Sequence, residues 1–101
     1  MIDQNIAVPY NEIAAFCQRH HIRKLALFGS VLRDDFALES DVDVLVEFEP
    51  GHAPGWEFVS MQDEISGILG RPVDLNTPGF LSRHFRQNVL DTALVIYERA
   101  G

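Results

Sequence analysis

The 101-residue chain has one cysteine, Cys17, so no internal disulfide can form. Cys17 shares helical spacing with Ile13 and Phe16, the place of a small hydrophobe on a buried face. Basic residues are also few: eight Lys and Arg stand against fifteen Asp and Glu, a formal net charge of -7. Phosphate backbones are held by basic patches, so direct nucleic-acid binding is not expected. No apolar run approaches the roughly 20 residues that span a bilayer. Nor does a basic segment followed by an apolar one open the chain, and the expectation is a soluble, cytoplasmic protein with no membrane contact. Repeats, low-complexity tracts and linkers are missing too, which leaves one domain over residues 1–101. The four histidines are scattered along the chain and do not form a zinc cluster. His20 and His21 read as a polar helix end, and His52 and His84 as solvent-facing.

What is present is a globular composition, 47% hydrophobic. Tyr10, Ile13, Phe16 and Cys17 follow the three-and-four spacing of a helix over about Pro9 to His20. Leu25 to Phe28 is a short apolar strand ended by Gly29-Ser30, and Val31 to Phe36 has the length of a short helix. Val42 to Phe48 is the longest strand signal, and two prolines and two glycines make residues 50–55 a loop. Phe58, Met61, Ile65, Ile68 and Leu69 line a helix that Gly70 stops, and Trp56 reads either as a cap on that helix or as an interface residue. Pro72 to Leu75 is a third strand. Thr77-Pro78 resembles the opening of a helix with inner face Leu81, Phe85 and Val89, and Ala93 to Tyr97 is a fourth strand. The fold class is α/β: a small mixed sheet with flanking helices.

The acidic excess is local. Seven acidic residues and no Lys or Arg lie between Asp34 and Glu49, and two of them, Asp41 and Asp43, border an apolar strand. Side chains alternate along a strand, so Asp41, Asp43 and Leu45 share a face while Val42, Val44 and Val46 fill the other. An antiparallel pairing of the first two strands sets Gly29-Ser30 beside these carboxylates. A crossover through the Phe58–Leu69 helix makes the third strand parallel to the second and brings Asp74 to the same end of the sheet. Three close carboxylates repel unless hard cations neutralise them, and oxygen donors without Cys or His favour magnesium. Two magnesium ions about 3.5–4 Å apart activate an attacking oxygen and stabilise departing pyrophosphate. Asp41 and Asp43 are expected to bridge both ions, and Asp74 to hold one and accept the attacking hydroxyl's proton. Gly29 admits a phosphate close to the backbone, and Ser30 offers a hydroxyl and an N–H.

Gly29-Ser30, ten residues, then Asp41-Val42-Asp43, with Arg33 after the first pair and Ser40 before the second, is similar to the signature of the DNA polymerase β nucleotidyltransferase superfamily. In size the chain resembles the minimal nucleotidyltransferases of that group. The resemblance implies a polymerase β-type fold, catalytic and metal-binding roles for Asp41, Asp43 and Asp74, and nucleotide contacts from Gly29, Ser30 and Arg33. It implies ATP as substrate and a HEPN-type toxin as partner, silenced by transfer of AMP to a toxin tyrosine. The neighbouring reading frame is then expected to encode a small helical protein with an Arg-x4-6-His motif and a tyrosine. Asp34-Asp35 stands where relatives often carry glycine and glutamate. With no second domain to grip an acceptor, the missing half of the site must come from another chain. A toxin-covering antitoxin without catalysis and a small-molecule nucleotidyltransferase are the alternatives.

Overall fold

A computed structural model describes residues 8–32, 41–52, 54–84 and 86–99, with the side chains of Ser30 and Phe80 excepted. The order is α1 (Tyr10–Arg19), β1 (Ile22–Phe28), a 3-10 turn (Gly29–Leu32), β2 (Val42–Phe48), α2 (Glu57–Leu69), β3 (Val73–Asn76), a second 3-10 turn (Pro78–Phe80), α3 (Arg86–Thr92) and β4 (Leu94–Glu98). The four strands form one mixed sheet in the order β3-β2-β1-β4. β1 is antiparallel to both neighbours, and β2 and β3 are parallel. This is the expected α/β architecture.

Alternation along the strands divides the apolar side chains between two faces. Val42, Val44 and Val46 of β2, with Leu25 and Leu27 of β1, pack against Ile13, Phe16 and Cys17 of α1 and Met61, Ile65 and Leu69 of α2. Burying a side chain such as Phe16 contributes about 1.5–3 kcal/mol, and Phe16 is fully buried. The other face carries a smaller cluster of Phe28, Leu45, Leu81 and Val89. Between α1 and α2, Glu64 takes hydrogen bonds from Arg19 and from His20, the latter at 2.9 Å. Burial pulls the Glu64 carboxyl upward, but the hydrogen bonds and charges of His20 and Arg19 together outweigh it and hold the group below its usual range. Among the described residues, no helix is long and apolar enough to cross a membrane.

Three expectations are corrected. β1 starts at Ile22, three residues before the apolar run, because Arg23 and Lys24 both pair with Glu47 on the neighbouring strand and so are satisfied within a ladder. Residues from Pro78 onward do not form one helix: Leu81 is extended (φ -82°, ψ 143°), and the Ser82 hydroxyl accepts from the His84 N–H before α3 begins. That side-chain bond competes with helical pairing. Phe85, expected on the inner face, lies outside the described residues. Trp56 stands at the N-cap position of α2 without a side-chain cap hydrogen bond and, being 96% exposed, does not cover the helix core. Of the short helix expected over Val31 to Phe36, the described part is the 3-10 turn ending at Leu32.

Cys17 behaves as its spacing suggests. It is fully buried, and burial pushes its thiol up to about 12. Only the thiolate is nucleophilic. An alkylating reagent at pH 8 is expected to leave the native thiol unlabelled and to label it fully in denaturant, read by intact mass.

Candidate active site

The site forms at the head of β2 because two strand pairings meet there. In the antiparallel β1–β2 pair, Phe28 stands opposite Asp43, so the chain leaves β1 directly beside that aspartate. In the parallel β2–β3 pair, Val42 faces Val73 and Asp43 faces Asp74. Register partners on adjacent strands project from the same face, with strands about 4.8 Å apart. Val73 and Leu75 belong to the main core, which leaves Asp74 on the opposite face, the one that carries Leu45 and Phe28. Asp43 is half-buried; Asp41, one residue before β2, and Asp74 are exposed.

Gly29 is fitted closely to this arrangement. Its φ of 77° lies in the left-handed region, and a Cβ built there would stand 2.2 Å from Asp43 Oδ2. A side chain at position 29 would therefore occupy the volume of the carboxylate. Ser30 lies in the 3-10 turn that follows. Arg33 and Ser40 lie outside the described residues.

Two groups that sequence reasoning passed over hold Asp74 in position. β3 is an edge strand, yet its outward N–H groups are occupied: Val73 donates to Ser66 Oγ at 3.1 Å and Leu75 to Gln62 Oε1 at 3.0 Å. Ser66 Oγ in turn donates to the Gln62 carbonyl at 2.8 Å. The signal in the sequence was the four-residue spacing of Gln62 and Ser66, flanking Ile65 on α2, and their role emerges only with the crossover in place.

The donor set at the head of β2 is oxygen alone, with two aspartates in register and a third two residues before one of them. That chemistry suits magnesium, which prefers a few carboxylates and completes its shell with substrate phosphates and water. The trio of ligand groups whose atoms already lie within 4.8 Å of one another, among the described residues, is a different one: His21, Glu49 and His52. The reading of the histidines as scattered fails there, because the far ends of β1 and β2 are neighbours. His21 and His52 stack with ring centroids 4.0 Å apart.

Residues 11–96 match the model of a family described as a nucleotidyltransferase domain. The protein adenylyltransferase MntA of Thermococcus cleftensis is 32% identical over 74 residues, covering 72% of this chain and 73% of that protein. Among solved structures, a toxin–antitoxin complex with AMP-PNP contains a chain of similar fold, with a TM-score of 0.72 and 18% identity over 91% of this chain and 75% of that one. A tri-AMPylated Shewanella oneidensis HEPN toxin in complex with an MNT antitoxin contains another, with a TM-score of 0.64 and 19% identity over 98% of this chain and 74% of that one.

Proposed function

Because the chain belongs to the nucleotidyltransferase domain family, we propose that it is an antitoxin that transfers AMP from ATP to a tyrosine of an all-helical HEPN-type toxin. The observation that carries this reading is the register match of Asp43 with Asp74, with Gly29 against the Asp43 carboxylate. The relative from Thermococcus cleftensis, a protein adenylyltransferase by name, supports AMP transfer to protein. The neighbours that contain AMP-PNP or an AMPylated HEPN toxin support the nucleotide and the partner.

Asp41, Asp43 and Asp74 are the residues that would hold two magnesium ions. When bound, the metal lowers the pKa of the acceptor hydroxyl and offsets charge on the departing pyrophosphate. The close turn at Gly29 leaves backbone amides of residues 29 and 30 able to receive the triphosphate. The acceptor oxygen bonds to the α-phosphorus as the bond to pyrophosphate breaks, and Asp74 takes the hydroxyl proton. Exposure of Asp41 and Asp74 leaves that face open to an acceptor on another chain.

The test is intact-mass analysis of the HEPN-type helical protein expected in the neighbouring reading frame, after incubation with ATP and magnesium. AMP additions on a tyrosine are expected. An inhibited but unmodified toxin would instead favour stoichiometric covering of its surface.

A further inference from the structure

Opposite the aspartates, at the other end of the β1–β2 pair, two imidazoles and a carboxylate converge. His21 precedes β1 and Glu49 follows β2, and the Glu49 N–H donates to the His21 carbonyl at 2.9 Å, extending the ladder by one bond. The chain then turns through Pro50-Gly51, with Gly51 at φ 82°, and the His52 N–H donates to the Glu49 carbonyl at 3.0 Å. Proline at the second position, glycine with positive φ at the third and a bond from fourth to first describe a type II turn. It returns His52 to Glu49 and stacks its ring on His21 at an interplanar angle of 17°.

His21 is the described non-glycine residue with positive φ, at 56°. It follows the C-cap of α1, with its N–H donating to the Gln18 carbonyl at 3.5 Å, a helix ending that commonly takes a left-handed residue and at which histidine is tolerated. Arg99 pairs with Glu49 through Oε2, an outer contact that fixes the carboxylate while its other oxygen can ligate. Beside the rings lies a cavity of about 290 Å³, lined by Arg19, His20, His21, His52, Pro54 and Glu57, which leaves the cluster accessible.

We propose that His21, Glu49 and His52 form a binding site for a borderline divalent transition metal, zinc in particular, separate from the magnesium-type carboxylate set at the head of β2. Two imidazole nitrogens and one carboxylate oxygen are donors that select zinc over magnesium. Tetrahedral zinc with bonds of about 2.0–2.1 Å needs donors about 3.3 Å apart with both imidazole lone pairs aimed at the ion, so side-chain rotation must close the 4.8 Å limit by about 1.5 Å and open the ring stack. Three protein ligands leave further positions to water or to an incoming group. Zinc there clamps the turn at residues 49–52 to the start of β1 and stabilises the folded chain.

The experiment is a zinc titration of the full chain, followed by calorimetry and thermal unfolding, on the wild type and three variants. His21→Gly suits the positive φ and His52→Ala lies in an exposed turn, so both keep the fold. Asp41→Asn with Asp43→Asn removes two of the three carboxylates at the head of β2. One zinc per chain is expected, with a raised unfolding midpoint, in the wild type and in the aspartate double variant. Both effects are lost in His21→Gly and in His52→Ala, with affinity weakened by about 100-fold or more, beyond the roughly 10–100-fold typical of outer-shell losses. Undiminished binding in the two histidine variants, loss of binding with the aspartates, or no binding at micromolar zinc would overturn the proposal. Nucleotidyl transfer is not its readout, so its failure leaves the functional reading untouched.

Discussion

Asparagine in place of Asp43 is expected to lower nucleotidyl transfer by about three orders of magnitude or more, equivalent to about 4 kcal/mol of transition-state stabilisation. The change keeps the shape of the side chain and removes one charge. Asp43 is the member of the trio with neighbours on both sides, Phe28 across β1 and Asp74 across β3. It is also the half-buried one, so water replaces it least readily. Asp74→Asn is expected to follow it in direction. Both substitutions keep the size of the side chain and leave the apolar core untouched, so neither should unfold the chain. Initial rates of pyrophosphate release, with a melting curve on the same preparation, separate the two effects. A Asp43→Asn variant that retains more than a tenth of the rate would remove the aspartates from the chemistry.

Gly29→Ala is expected to damage stability and activity together, for two reasons that add. The φ of 77° costs an alanine about 1–2 kcal/mol, which for a domain of this size lowers the unfolding midpoint by roughly 4–16 °C. The new Cβ would also meet Asp43 Oδ2 at 2.2 Å, so the carboxylate must swing away. Misplacing a reacting group by about 1 Å costs on the order of 100-fold in rate. The two contributions are separable by assaying well below the lowered midpoint, where the chain is folded and the rate loss persists. Full activity at that temperature would mean that the Asp43 rotamer beside Gly29 is not the working one.

Much of this site was legible because two general rules of chain geometry suffice to build it. Antiparallel pairing of adjacent strands set Gly29 beside Asp43, and the crossover through α2 to a parallel β3 set Asp74 alongside. β2 runs over Val42–Phe48 as its strand signal suggested, and α2 stops at Gly70, whose φ is 70°. What escaped depended on partners distant in sequence. Arg23 and Lys24 do not look like strand residues until Glu47 is opposite them. Gln62 and Ser66 look like an ordinary polar helix face until the edge of β3 arrives with its N–H groups. His21, Glu49 and His52 look scattered until β1 and β2 pair, because β1 reaches back to Ile22, three residues before the apolar run that announces it. The break after Pro78-Gly79-Phe80 was hidden because Leu81 and Val89 do share a cluster, which helical spacing also explains.

The most direct measurement is a calorimetric titration of AMP-PNP into the chain with magnesium and with chelator, repeated on Asp43→Asn and Asp74→Asn. The account predicts binding that requires magnesium and is weakened by about 100-fold or more in each variant. Equal affinity with chelator present, or undiminished affinity in both variants, would contradict it.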